Sequence, residues 1–322
     1  MNALSRPLPA SPLVGSEAEF SGLPPIVCEG LRKRFGHHEV LSGVDLTIPA
    51  GAVVGLVGTN GAGKSTLINC LLGLLKPTGG NARIWGEDPW FLSARAKSNL
   101  GYVPQTVQLQ PWMRVEQLLD FTAAFYEHWD HRWTETLLTR LDLPREQRVG
   151  PLSVGQQQKL ALALALGHRP SLLILDEPVA SLDPIARREL LATLMELALD
   201  NRHTVLFSTH ITSDLERIAT HVAVLREGKI VLFDELDSVK DRVKRLRLTA
   251  SSPFPERLMI RAAIRTQVDG CHALATVTDL SDDLLAELRQ KFNATISVED
   301  LNLEDIFVEL HQRPSEHVGG LR

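Results

Sequence analysis

GTNGAGKST, residues 58 to 66, is preceded by the apolar run VVGL and followed by LINCLLGLL. A strand-type run, a glycine-rich turn and a helix opened by Lys-Ser-Thr form the context that a phosphate-binding loop requires. Gly58, Gly61 and Gly63 let backbone N–H groups converge on phosphate oxygens with no Cβ in the way, and the helix starting at Lys64 adds its N-terminal dipole and unpaired donors. Lys64 is then the cation for the β and γ phosphates, and Ser65 offers its hydroxyl to Mg²⁺. The alternative is a strand-to-helix turn that binds nothing.

The second half of such a site is SLLILDEP, Ser171 to Pro178, a continuous apolar run ending in two carboxylates. Runs of this kind are buried strands of parallel sheets, whose carboxyl ends face ligand sites. Asp176 and Glu177 are expected on opposite faces of the strand end. One can reach the Mg²⁺ shell through water, and the other can orient or deprotonate an attacking water.

Other polar residues fall at ends of predicted elements, each with a plainer reading beside the functional one. Ser153 in LSVGQQQK is an N-cap, with Gln156 as its capping-box partner, and the same helix start also suits a phosphate. Asp183 in SLDP caps the next helix. His210 closes the strand HTVLFSTH, where it is a γ-phosphate contact or a structural histidine. Gln105 ends the apolar strand GYVPQ, as a sheet-edge polar group or a solvated loop residue. Phe35, near a hairpin turn, either stacks on a base or belongs to the core. His128 and His131 stand three apart, which reads as a solvated helix end rather than a metal site.

Composition narrows the partners. Of 322 residues, 44% are hydrophobic and 23% charged, enough for a sizeable core and more than one domain. The net charge of −5, with no basic block, disfavours nucleic acid. Cys28, Cys70 and Cys271 are far apart, odd in number and read as reduced thiols in a cytosolic protein. No run approaches the length of a membrane span. Residues 1–24, with scattered prolines and serines and no continuous apolar stretch, read as a flexible extension rather than a secretory signal.

Along the chain, IVCEGLRKRFG and VLSGVDLTI predict a hairpin leading into the phosphate-loop strand. NARIWGEDP is a further strand and turn, and SARAKSNL a short helix. MRVEQLLDFTAAFYEHW and WTETLLTRLDL have helical spacing, as an inserted helical segment between strands. Beyond Asp234, the charged helix in LDSVKDRVKRLRLTA runs into a strand. IRAAIR, ATVTDL, SDDLLAELRQKF, ISVEDL and LEDIFVELH then alternate as a small α+β unit.

GTNGAGKST, GYVPQ, LSVGQQQK, LLILDEP, SLDP and STH, in this order and spacing, resemble the nucleotide-binding subunit of an ATP-binding-cassette (ABC) transporter over about Ile26 to Phe233. The resemblance implies an α/β P-loop NTPase fold with a central, mostly parallel sheet, an antiparallel β subdomain and a helical subdomain at about 106–165. It divides the chain into a nucleotide-binding domain at 25–236 and an α+β appendix at 237–322. By the same likeness ATP lies on Phe35 and the loop Gly58, Thr59, Asn60, Gly61, Ala62, Gly63, Lys64, Ser65 and Thr66. Ser65, Gln105 and Asp176 would serve Mg²⁺, Glu177 would polarise water, His210 would contact the γ-phosphate, and Asp183 would signal across a dimer. Ser153, Gly155 and Gln156 would act in trans, on ATP held by a second subunit of a head-to-tail dimer.

The implied protein is an ATPase on the inner face of the cell membrane, paired with separately encoded permease subunits and with itself or a paralogous ATPase subunit. The SVEDLNLEDIFVEL segment is similar to the C-terminal extension of ATPases paired with ABC-2 type exporters, and FYEHWDHRW to one branch of bacterial exporter ATPases. Two rival readings are an ATPase of a membrane-associated regulatory complex and a soluble ABC ATPase acting on nucleic acid or ribosomes. One departure stands out: one of the two glycines usual in the LSGGQ-type signature is Val154 here, so that turn is expected to use ordinary backbone angles.

Overall fold

The computed structural model describes Phe20 and residues 22–180, 182–199 and 203–311, and the chain divides into two compact units, Met1–Phe233 and Asp234–Arg322. The extension expected over residues 1–24 lies mostly outside the described residues. Its described end is packed: the ring of Phe20 stacks 4.5 Å from that of Trp85, and the Arg95 guanidinium lies 5.4 Å from the Phe20 ring centre.

The strands of the first unit are β1 (Ile26–Phe35), β2 (His38–Ile48), β3 (Val53–Val57), β4 (Gly79–Ile84), β5 (Leu100–Val103), β6 (Leu172–Asp176), β7 (Thr204–Thr209), β8 (His221–Arg226) and β9 (Lys229–Glu235). The last of these runs across the boundary between the units. Its helices are α1 (Lys64–Leu71), α2 (Ala94–Ser98), α3 (Val115–Ala123), α4 (His131–Arg140), α5 (Val154–Leu166), α6 (Pro184–Leu199) and α7 (Thr212–Ile218).

β1 lies between β2 and β4 in a three-stranded antiparallel sheet. Alternation buries Ile26 and Cys28 of β1 and Val44, Leu46 and Ile48 of β2, and register shifts between Cys28 and Arg32 bring Leu31 and Leu41 into the same core. The larger sheet has the order β5-β6-β7-β3-β8-β9, and its pairs from β5 through β8 are parallel. β3, β6 and β7 are buried at every position, which is why their stretches VVGLV, LLIL and VLF read as continuous apolar runs rather than alternating ones. One core joins the two sheets through Leu67, Ile68 and Leu71 of α1. Because β3, β6 and β7 are neighbours and parallel, their carboxyl ends, followed by the 58–66 loop, Glu177 and His210, lie along one edge.

Two boundaries differ from the sequence reading. β5 stops at Val103, short of Gln105, because Pro104 has no N–H for the ladder. The helix expected through FYEHW ends at Ala123. Beyond it the rings of Tyr126 and Trp129 turn onto His168, at 4.1 and 6.4 Å. A Cβ on Gly167 would lie 2.2 Å from the Trp129 indole, so the glycine makes room for that ring. Aromatic packing here overrides helical propensity.

The second unit contains α8 (Leu236–Arg242), β10 (Lys244–Ala250), β11 (Ala263–Asp269), β12 (His272–Val277), α9 (Asp282–Phe292), β13 (Ala294–Asp300) and α10 (Leu303–His311). Its strands form an antiparallel sheet in the order β11-β12-β10-β13, with Leu246, Leu248, Ala273, Ala275 and Val277 packed against Leu284 and Leu288 of α9. The strand expected in IRAAIR begins later, at Ala263, because Ala262 has φ 60° and interrupts the extended backbone. Glu309 of α10 is buried between Arg245 (2.8 Å) and Arg265 (3.5 Å).

Candidate functional site

The 58–66 loop bends where its glycines permit. Gly61 and Gly63 have φ of 83° and 108°, and a Cβ on Gly58 would sit 2.7 Å from the carbonyl oxygen of Leu225. Gly63 is the N-cap of α1 and has no side chain to accept from the first amides of the helix, so those donors are left for an anion.

Lys64 folds back over this loop. Its Nζ donates to the carbonyl oxygens of Gly58 (2.9 Å) and Thr59 (3.4 Å) and pairs with Glu177 Oε1 at 3.2 Å. Lys64 is 5% and Glu177 9% exposed, so this is a pair largely out of water. The other carboxylate oxygen, Oε2, lies 3.3 Å from Nδ1 of His210, which follows β7 directly. Glu177 is not the strand residue expected: β6 ends at Asp176, and Glu177 has φ 48°, a left-handed turn just past it.

Ser208 connects the two carboxylate residues. Its hydroxyl donates to Asp176 Oδ1 (2.7 Å) and accepts from the Glu177 N–H (2.9 Å), with the side chain wholly buried and paired in register across β6 and β7. Sequence reasoning passed over this residue; the available signal was the change from apolar to hydroxyl residues at the carboxyl end of a buried strand.

The donors fit Mg²⁺. Asp176 is buried and has no lysine or arginine partner among the described residues, and a hydroxyl with one carboxylate is the sparse oxygen set that this ion takes beside phosphate. No group of three or more His, Cys, Asp or Glu able to hold a metal occurs among the described residues. Burial pushes the Cys28 and Cys70 thiols up to about 12 and about 11, which favours the protonated form. Burial, followed by the Asp176 charge, also raises the Tyr102 phenol to about 12.

The remaining candidates stand apart from this cluster. Gln105 is exposed, beyond the end of β5. Phe35, at the end of β1, is 49% exposed and so not a core residue, with Lys33 Nζ 5.0 Å from its ring centre. Ser153 and Gln156 form the expected capping box on α5: Gln156 N–H donates to Ser153 Oγ (3.2 Å), and Ser153 N–H to Gln156 Oε1 (3.0 Å). Neither they nor Gly155 bond to the 58–66 loop among the described residues. Val154 is the first residue of α5 at negative φ, with its side chain 64% exposed. A Cβ on Gly155 would lie 3.4 Å from Leu182, next to Asp183. Asp183 caps α6 by accepting from the N–H groups of Ile185 (2.9 Å) and Ala186 (3.1 Å), which hold its carboxyl below the usual range.

Comparison with known proteins agrees with this geometry. Residues 41–180 match the family model described as "ABC transporter". The chain is 32% identical over 298 residues to the Nod factor export ATP-binding protein I of Burkholderia lata, covering 90% of this chain and 97% of that one. It is 37% identical over 222 residues to the aliphatic sulfonates import ATP-binding protein SsuB of Pseudomonas putida, covering 68% and 80%. A solved structure described as the ATP binding subunit of an ABC transporter superposes with a TM-score of 0.60 at 28% identity, covering 67% of this chain and 92% of that one.

Proposed function

This chain belongs to the family of ABC transporter ATP-binding proteins, and from that premise we propose that it hydrolyses ATP to energise a separately encoded membrane permease. The observation that carries the reading is Glu177, held between Lys64 and His210 at the carboxyl edge of the parallel sheet.

In the proposed cycle the backbone donors of residues 58–66 and the Lys64 ammonium bind the phosphates, and Phe35 stacks on adenine. Ser65 and Asp176 would hold Mg²⁺ with Gln105, and the bound ion supplies charge neutralisation of the β and γ phosphates. Ser208 keeps Asp176 and the Glu177 backbone in fixed relation. Glu177 orients and deprotonates the attacking water, while His210, on its far oxygen, reaches the γ-phosphate. The exposed N-terminus of α5, with Ser153, Gly155 and Gln156, acts on ATP held by a second copy or a paralogue in a head-to-tail dimer, and Asp183 carries the signal between the sites. On this reading residues 25–236 are the nucleotide-binding domain and 237–322 an accessory one.

Export is favoured over import by the reach of the similarities. The alignment to the export protein runs over 298 residues, longer than the 233 of the first unit, and so extends into the second; the alignment to the import protein, at 222, does not require it. Among the described residues no helix is long and apolar enough to cross a membrane, in keeping with a peripheral subunit whose permease is another chain.

The test is a mild-detergent pull-down of the tagged chain from its own cells with ATP present. Stoichiometric recovery of an integral membrane protein is the expected result; recovery of ribosomes or nucleic acid without any membrane protein would overturn the permease assignment.

A further inference from the structure

We propose that the ion pair between Arg187 and Asp214 is a positioning device for hydrolysis, which holds the Asp183 and His210 loops as one unit. The proposal rests on the ATPase reading above and concerns two residues that do not touch the reacting groups.

Asp214 sits in the first turn of α7 and is 3% exposed. Its Oδ1 accepts from both Nε (3.0 Å) and Nη2 (2.6 Å) of Arg187, and Oδ2 is buried with no partner among the described residues. Burying a carboxylate is costly unless a cation meets it directly, so Arg187 and Asp214 constrain each other strongly. The fork of the guanidinium fixes direction as well as distance, which a lysine would not do.

Each partner lies one helical turn from a functional loop. Arg187 is in the first turn of α6, its N–H donating to the carbonyl oxygen of Asp183 at 2.9 Å, and Asp183 caps the same turn. Asp214 lies four residues beyond His210, and its N–H donates to the Ile211 carbonyl at 3.3 Å. The intervening backbone is pinned again where the Ile211 N–H donates to Thr209 Oγ1 at 3.0 Å. α7 is seated closely on the sheet, since Leu215 packs against Gly55 of β3: a Cβ there would be 1.9 Å from Leu215 Cδ2. The ion pair therefore fixes how α6 stands against a helix that is already seated, and with it the spacing between Asp183 and the His210–Glu177 contact. A second bridge from α6, Glu189 to Lys159 at 2.6 Å, is more exposed and joins α6 to α5 rather than to α7, so it serves as the control for losing an ion pair of α6 that does not reach the His210 loop.

The experiment is steady-state ATP hydrolysis by the full chain carrying Arg187→Lys, Asp214→Asn, both together, or Glu189→Gln, with Tm measured for each. Misplacement of a catalytic group lowers turnover more than binding, so Arg187→Lys and Asp214→Asn are each expected to lower kcat about tenfold. KM for ATP should stay within about twofold. The double variant should lose no more than the single ones, as for two groups acting as a unit. Glu189→Gln should keep the wild-type kcat. Wild-type kcat in folded Arg187→Lys, losses that multiply in the double variant, or an equal loss in Glu189→Gln at matched Tm would overturn the proposal. Arg187→Lys retains charge and approximate size, so it decides the matter even where Asp214→Asn is too unstable to purify. A wild-type chain without ATPase activity would instead sink the functional reading itself.

Discussion

Lys64 Nζ lies 3.2 Å from Glu177 Oε1, and the same ammonium donates to the carbonyl oxygens of Gly58 and Thr59. The proposed phosphate cation and the proposed general base are thus within ion-pair distance of each other, so each sets the charge that the other meets. A hydrogen bond to a charged group contributes about 1.5–3 kcal/mol, so Lys64→Ala should weaken ATP binding roughly ten- to a hundredfold. Isothermal titration with ATP and Mg²⁺ reads this directly; an unchanged Kd would mean that Lys64 does not hold phosphate.

Glu177→Gln has a different signature. The amide keeps the size of the side chain but cannot take a proton from water, and loss of a general base lowers kcat by about 10²- to 10⁴-fold. With the carboxylate gone, Lys64 is freed for phosphate and one negative charge leaves the site, so ATP should bind at least as tightly as to wild type. Phosphate release together with sedimentation in ATP tests both halves: the variant should be inactive and accumulate as an ATP-bound dimer. Normal turnover would remove Glu177 from the role of base.

Ser208→Ala should separate catalysis from nucleotide affinity. The change leaves a buried Asp176 oxygen and the Glu177 N–H without their shared partner. An orphaned buried group of this kind costs about 1–3 kcal/mol, which a urea melt would register. Because the hydroxyl fixes both carboxylate residues, kcat should fall while the affinity for ATP without Mg²⁺ stays close to that of wild type. A variant with wild-type stability and kcat would show that the bridge is dispensable.

Most of this site is legible in the residues because its chemistry is local. Gly58 to Thr66 encodes its own turn, and Ser153 and Gln156 encode their own cap. What eluded sequence reading depends on contacts between strands. Ser208 becomes visible only once β6 and β7 are in register, and the Lys64–Glu177 pair spans more than a hundred residues. Glu177 looked like the next residue of a strand because no composition signal announces φ 48° at a glutamate. Similarly, the helix expected through FYEHW stops at Ala123 because Tyr126 and Trp129 find a better partner in His168, a residue that periodicity cannot supply.

That histidine makes stability depend on pH. Burial pushes the His168 imidazole down to about 4, against a smaller opposing effect of its contact with the Leu100 carbonyl, at 3.2 Å from Nε2. Between the ordinary value, near 6.5, and about 4, the unfolded chain binds a proton that the folded chain does not. Stability is therefore complete above about pH 6.5 and declines as pH falls, until the folded form also protonates near 4. At about 1.4 kcal/mol per unit, the decline attributable to this residue is on the order of 3 kcal/mol. Urea unfolding of wild type and His168→Phe from pH 7.5 to 4 measures it: the wild type should lose ground to the variant by that amount, and a pH-independent difference would show that His168 does not titrate differently on folding.

Val154 offers the sharpest test of how far the family's pattern constrains this chain. The residue begins α5 at ordinary helical angles and exposes most of its side chain, so nothing in the fold of the single chain depends on it. Glycine at this position would gain backbone freedom that the folded unit does not use, and the resulting loss of stability should be about 1 kcal/mol or less. In the proposed dimer, however, the N-terminus of α5 faces ATP on the second subunit, where a β-branched side chain beside Ser153 and Gly155 holds back the approach of the helix amides to the γ-phosphate. Val154→Gly should therefore leave Tm nearly unchanged while raising kcat and lowering the ATP concentration at which dimers form. Hydrolysis and light scattering across an ATP titration would report both; equal kcat and equal dimerisation would mean that this face of α5 does not engage nucleotide.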